Sequence, residues 1–242
     1  QGFSTIMGMS AEISQPFDEC QPQTNETAPT LSRPGLLVMD VDSTLIDEEV
    51  IDELGVIAGR GEQVTAITTR AMNGELDFLE ALSARVGLLR GLPSTVFDQV
   101  YEHLHFTRGA LELIGVLHRH GWKVGVVSGG FHEIVDKLVA DAGIDFALAN
   151  RLGVDGNGLL TGELNGEIVT KATKSQALHD WAERIGVPHE QTVAMGDGAN
   201  DIPMIMEAGL GVAFCAKPAT QAAAPHAINQ RDLSLLLRLL RA

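Results

Sequence analysis

The sequence predicts an α/β fold built on a doubly wound, mostly parallel sheet. Short unbroken apolar runs recur along the 242 residues, amphipathic helical stretches alternate with them, and three of the runs end in polar tips. A strand covered on both faces needs no polar alternation, so such runs mark central parallel strands. Strands that alternate with helices build a sheet wound on both faces. Open sheets of this kind gather their ligands at the carboxyl ends of the strands, so the polar tips are expected to converge.

Residues 1–34, rich in Ser, Thr, Gln and Pro, lack periodicity and read as an N-terminal tail or linker. The core is expected over 35–45 and 108–242. Leu36-Leu37-Val38-Met39 supplies its first strand and breaks into Asp40-Val41-Asp42-Ser43-Thr44. Residues 46–107 are predominantly helical and too long for a simple crossover, which predicts an inserted helical cap. Within them Asp77, with Glu80 three residues on, predicts a capping box that opens a helix with Phe78, Leu79, Leu82 and Val86 on its apolar side. Ser94 is expected to cap another helix running through His105. Further strands are expected at Lys123–Val127, Asp145–Ala149, Thr192–Met195 and Leu210–Phe214, with helices over 109–120, 131–142, 174–185 and 201–208. Between them, Asp155-Gly156-Asn157-Gly158 and Leu164-Asn165-Gly166-Glu167 predict a small β-hairpin insertion at 151–170.

Composition excludes several classes. A net charge of −15 gives no basic face for a nucleic acid. No apolar run is long enough to cross a bilayer, and the N-terminus lacks a basic region followed by an apolar core. The two cysteines, Cys20 and Cys215, are far apart in unlike contexts, which suits two ordinary thiols in a cytoplasmic protein.

The strand tips carry the chemistry. Asp40 and Asp42 stand two residues apart, so extended backbone aims both carboxylates to one side. One can remain ionised as nucleophile and metal ligand while the other carries a proton for a leaving oxygen. Ser128 with the N–H groups of Gly129 and Gly130 can cradle a phosphate ahead of a helix. Lys174 can add a point charge, and Asp197 can complete an oxygen site for Mg2+. On residue chemistry alone Lys171 offers an ordinary surface alternative to Lys174.

Asp40-Val41-Asp42-Ser43-Thr44, Ser128-Gly129-Gly130, Lys174 and Gly196-Asp197-Gly198-Ala199-Asn200-Asp201 resemble the four motifs of the haloacid dehalogenase-like phosphatases. Glu49, Arg85-Val86-Gly87-Leu88-Leu89 and Ala213-Phe214-Cys215-Ala216-Lys217-Pro218 extend the resemblance to the branch that hydrolyses phosphoserine. It covers about residues 35–240 in order. The resemblance implies Asp40 as nucleophile through an aspartyl-phosphate, Asp42 as general acid and then base, and Mg2+ on Asp40, the Asp42 backbone carbonyl and Asp197. It implies Ser128, Gly129, Lys174 and Asn200 around the phosphate, with Asp201 supporting the metal shell. From the cap, Glu49 would take the substrate ammonium, Arg85 its carboxylate, and Met72 and Phe78 would shield the site. On their own, Glu49 reads equally as part of an acidic helix start and Arg85 as a surface cation, while Met72 and Phe78 read as cap core. A monomeric or homodimeric biosynthetic enzyme with a small-molecule substrate is expected. The rival readings are a phosphotransferase to another alcohol, such as homoserine, a phosphatase for another small phosphate ester, and an inactive phospho-amino-acid binding module.

Overall fold

A computed structural model describes residues 27–242. Cys20 lies outside the described residues. Among the described residues, six strands form one all-parallel sheet. In chain order they are β1 (Leu36–Met39), β2 (Lys123–Phe131), β3 (Phe146–Asn150), β6 (Thr192–Gly196), β7 (Leu210–Phe214) and β8 (His226–Ile228). Their spatial order is β3-β2-β1-β6-β7-β8. The order turns at β1, with β2 on one side and β6 on the other, so the tips of these three strands flank the crevice where ligands bind in open α/β sheets.

The unbroken apolar run of β1 reflects burial on both faces. Leu37 and Met39 enter one apolar core and Leu36 and Val38 the other, all four fully buried. Helices α5 (Ala110–Arg119) and α6 (His132–Ala142) cover the first face through Leu113, Leu117, Ile134 and Leu138. Helices α7 (Lys171–Ile185) and α8 (Ile202–Glu207) cover the second through Leu178 and Met204. Each fully buried Leu or Val of this kind contributes about 1.5–3 kcal/mol relative to exposure, so β1 is pinned in register from both sides.

Between β1 and β2 the chain forms α1 (Val50–Ile57), α2 (Gly61–Met72), α3 (Phe78–Gly87) and α4 (Val96–Tyr101). The expected capping box at Asp77 and Glu80 is present in both directions, at 2.8 and 2.9 Å. The helix expected to be capped by Ser94 is shorter than predicted. Ser94 donates its N–H to the Gly158 carbonyl and Pro93 bridges to Leu159, so the hairpin β4 (Leu152–Val154) and β5 (Leu160–Leu164) shifts the start of α4 to Val96. The helix ends at Tyr101 rather than His105, in a turn closed by His103 N to the Val100 carbonyl. The chain leaves and re-enters the core through adjacent segments: Ile46 bridges Phe106, and Thr107 donates to the Leu45 carbonyl.

Three further departures concern β2, α7 and the approach to β1. The second strand extends through Phe131, with a register shift after Val127 that leaves Ser128-Gly129-Gly130 in a distorted strand end. Helix α7 begins at Lys171, capped by Thr170, which places Lys174 in its first turn. Residues 28–30, at the end of the stretch read as tail, are buried. There the Gln191 side chain accepts from Thr30 N and donates to the carbonyls of Thr30, Arg33 and Pro34. The strand β8, helix α9 (Pro218–Ala223) and the closing turn Leu233–Arg238 complete the fold without a counterpart among the sequence expectations.

Asp145 ties α5, β2 and the approach to β3 together, accepting from His118 Nε2 (2.8 Å), Lys123 Nζ (2.7 Å) and Val124 N (2.9 Å). Burial opposes its charge, but these three donors outweigh burial and hold the carboxyl below its ordinary pKa. Its contribution is therefore complete above the unfolded value of about 3.9 and is lost as pH falls through the lower folded value. Asp145→Asn is expected to lower stability by about 1–3 kcal/mol at pH 7. The gap to wild type should begin to narrow only as pH falls below about 4 in urea unfolding, as the wild-type carboxyl takes up its proton.

Candidate active site

The chain is still extended at Asp40 but turns helical at Val41, so the extended run expected from Asp40 through Asp42 is broken between the two acids. Asp40 (φ −68°, ψ 164°) and Asp42 (φ −62°, ψ 135°) keep extended geometry, whereas Ser43 adopts φ 55°, a left-handed conformation uncommon for a residue with a Cβ. Asp40 N donates to the Met195 carbonyl of β6, which fixes the tip against its neighbour.

Lys174 enters this tip from the first turn of α7. Its Nζ lies 2.8 Å from Asp40 Oδ1 and 2.7 Å from Asp201 Oδ1, and all three side chains are buried. The exposed first residue of the helix, Lys171, makes no such pair. Burial works against the Lys174 charge, but the two carboxylates outweigh it and raise its pKa, so it is held as a cation. Burial first, and Asp201 second, push the Asp40 carboxyl above its ordinary range against the pull of Lys174.

Asp42 sits in a different environment. Its Oδ2 accepts from Val50 N at 3.1 Å, the first N–H of α1, and its buried Oδ1 has no hydrogen-bond partner. Burial, then the charges of Glu49 and Asp40, raise its pKa well above the ordinary carboxylate value. Burial and neighbouring negative charge favour the protonated form, and a carboxyl with one oxygen unengaged is equipped to donate a proton.

Asp201 closes the Gly196–Asp201 loop on itself by accepting from Gly198 N at 3.0 Å. The close approach demands glycine at 196, where a Cβ would stand 2.3 Å from the Asp201 carboxyl carbon. Asp40, Asp197 and Asp201 each offer an oxygen, and the three oxygens lie within 4.8 Å of one another. Carboxylates outnumber ammonium groups in this buried cluster, and the donors are all hard oxygens, a set that fits a hard divalent cation. The Asp42 side chain stands outside the cluster. Asp201, expected behind the metal, lies within it by distance while also bound to Lys174.

Across the cluster, Ser128 is buried and its Oγ accepts from Gly130 N at 2.8 Å, while Asn150 Nδ2 holds the Gly129 carbonyl at 2.9 Å. These bonds turn the strand end into a fixed cradle. A cavity of about 750 Å³ opens over it, lined from the core by Asp40, Asp42, Ser128, Gly129, Asp197 and Asn200. From the helical block Glu49, Met72, Phe78 and Arg85 reach the same cavity. Glu49 Oε1 accepts from Ser43 Oγ at 2.6 Å. Burial lowers the Arg85 pKa, and the charges of Asp52, Glu49 and Asp42 oppose that; its guanidinium is steadied by the Ala81 carbonyl and Thr68 Oγ1. Met72 stands at the rim, 78% exposed, while Phe78, 41% exposed, reaches across so that its ring tip lies 3.9 Å from where a Gly129 Cβ would stand.

Among the polar side chains lining the cavity, Lys217 and Thr68 have no assigned role in the sequence reading of the site. Lys217 Nζ lies 3.5 Å from Asp197 Oδ2, and its N–H donates to the Asp197 carbonyl; it stands just past the tip of β7, where position relative to neighbouring tips could have flagged it. Thr68 carries no sequence signal of its own. His132, next to the Ser128 tip, is structural: its Nε2 accepts from Ala149 N and its Nδ1 pairs with Asp136.

The fold and this cluster agree with what comparison with known proteins finds. The family model of the haloacid dehalogenase-like hydrolases matches residues 37–206. The chain belongs to that family. The phosphoserine phosphatase of Streptococcus thermophilus is 57% identical over 206 residues, 85% of this chain and 95% of that protein. A solved phospho-aspartyl intermediate analogue of phosphoserine phosphatase superposes with a TM-score of 0.81 at 42% identity, over 86% of this chain and all of the other. A substrate-bound phosphoserine phosphatase complex gives the same TM-score and identity over 86% and 99%.

Removing the ammonium from the buried cluster would leave Asp40 and Asp201 without their cation. Lys174→Ala is expected to lower the stability of the EDTA-treated protein by about 3–5 kcal/mol, measured by urea unfolding.

Proposed function

We propose that this protein is a Mg2+-dependent phosphatase that hydrolyses O-phospho-L-serine to L-serine and phosphate, the last step of serine biosynthesis. One observation carries the substrate: Glu49 and Arg85, an acid and a base from the helical block, face the same cavity as Asp40, Asp42 and Ser128. That pairing suits a ligand with an ammonium, a carboxylate and a phosphate. The names of the most similar relatives support the same reading.

In the reaction an Asp40 oxygen attacks phosphorus in line with the serine oxygen, which leaves with the proton of Asp42. The aspartyl-phosphate so formed is then attacked by water, which gives its proton to the Asp42 carboxylate, and phosphate departs from Asp40. Ser128, the Gly129 N–H, Lys174 and Asn200 hold the phosphate oxygens during both steps. Mg2+ bound by Asp40, Asp197 and the Asp42 backbone carbonyl, with Asp201 bracing them, would supply positive charge to those oxygens.

Residues 46–107 act as a cap over the core of 35–45 and 108–242, and Met72 and Phe78 exclude water when it closes. Among the described residues no helix is long and apolar enough to cross a membrane. The acidic net charge offers no basic face for a nucleic acid, and the enzyme is read as a cytoplasmic monomer or homodimer.

The test is phosphate release from O-phospho-L-serine with Mg2+ and with EDTA, beside other small phosphate esters. EDTA should abolish turnover, and Asp40→Asn should lower it about 10³-fold or more. Asp42→Asn should cost about 10²–10⁴-fold. Release from other esters in preference to phosphoserine would sink the substrate assignment and leave the nucleophile standing.

A further inference from the structure

We infer that Arg231, a residue of the C-terminal segment outside the cavity lining, is a positioning residue that aims Glu49 at the substrate ammonium through Ser43. The inference rests on the substrate reading above and extends it to two residues that do not themselves line the cavity.

The guanidinium of Arg231 meets four acceptors at the junction between the sheet and the helical block. Its Nη1 donates to the Ser43 carbonyl (3.2 Å), Nη2 to the Ile46 carbonyl (3.0 Å) and Thr107 Oγ1 (3.4 Å), and Nε to Asp47 Oδ1 (2.5 Å). A planar fork can span such a set, whereas a lysine ammonium offers a single point charge. Its outer face rests near the Phe214 ring, 5.8 Å from the centroid.

Ser43 is where this grip reaches the site. It holds φ 55° with a Cβ present, a conformation that persists only when its surroundings over-determine it. All three of its polar groups are engaged: the carbonyl by Arg231, the N–H by the Glu48 carbonyl at 3.2 Å, and the hydroxyl by Glu49 Oε1 at 2.6 Å. The Ser43 hydroxyl thus occupies one Glu49 oxygen and leaves the other for a cation in the cavity. Without Arg231 the Ser43 peptide is free to leave its left-handed conformation, and its hydroxyl swings away from Glu49. The part of the site that binds phosphate is built from other elements, so the loss should fall on the ammonium end of the ligand.

A purely structural staple would behave differently. It would lower the folded fraction, and so the maximal rate, without changing the affinity of the molecules that remain folded. The experiment measures KM for O-phospho-L-serine and the inhibition constant of inorganic phosphate, which lacks an ammonium, on wild type, Arg231→Ala, Arg231→Lys and Ser43→Ala. Loss of one charge-assisted alignment should raise KM about tenfold in Arg231→Ala and in Ser43→Ala, with the phosphate constant changed less than about twofold. The double variant should show no further rise, since both changes break one relay. Arg231→Lys should recover only part of the affinity. Should Arg231→Ala fail to fold, Ser43→Ala and Arg231→Lys carry the same test.

An unchanged KM in folded variants would overturn the inference, as would an equal rise in KM and in the phosphate constant. A wild-type enzyme that does not turn over phosphoserine would overturn the substrate reading and this inference with it. Wild-type turnover with an insensitive KM would overturn the inference alone.

Discussion

One buried ammonium between two buried carboxylates organises the centre of this molecule. Lys174 bridges Asp40 and Asp201 at 2.8 and 2.7 Å, and each of the three arrives on a different piece of chain. Asp40 ends β1, Lys174 opens α7, and Asp201 closes the loop after β6. Burying such charges is costly unless each is matched, so the three elements cannot shift independently. The sheet order makes the meeting possible, because β1 and β6 are neighbours and α7 packs over them on one face.

The same matching explains how a strongly acidic protein can receive an anion. At long range a net charge of −15 repels phosphate. At the site the balance is local: Lys174 is buried between Asp40 and Asp201, Arg85, Lys171 and Lys217 line the cavity, and three oxygens converge where a cation fits. Protonation of Asp42, favoured by burial and by Glu49, removes one more negative charge from the path.

Much of this was legible in the sequence, and what was not shares a physical character. The run Leu36–Met39 announced a strand buried on both faces, and the polar tips at Asp40, Ser128 and Asp197 announced where they would meet. Asp77 and Glu80 announced their helix because a capping box is a local signal. Lys174 and Lys171 are separated only by where α7 begins: a start at Lys171 buries Lys174 between Asp40 and Asp201 and leaves Lys171 exposed at the cavity wall. Ser94 misled because a backbone bond to Gly158, 64 residues away, decided its conformation. Lys217 and Arg231 act on residues 20 and 188 positions distant, and no periodicity or spacing records such pairings.

The bridge between Ile46 and Phe106 has an evolutionary consequence. It brings the two ends of a 60-residue excursion to one rung of pairing, so the sheet experiences that excursion as though it were a tight loop. The entropic penalty for lengthening a closed segment grows only with the logarithm of its length. Insertions and deletions in its exposed turns, near residues 58–60 and 73–77, can therefore accumulate at little cost to β1 and β2. Recognition can be rewritten in that stretch while the phosphate machinery keeps its geometry, provided the two flanking segments stay fastened.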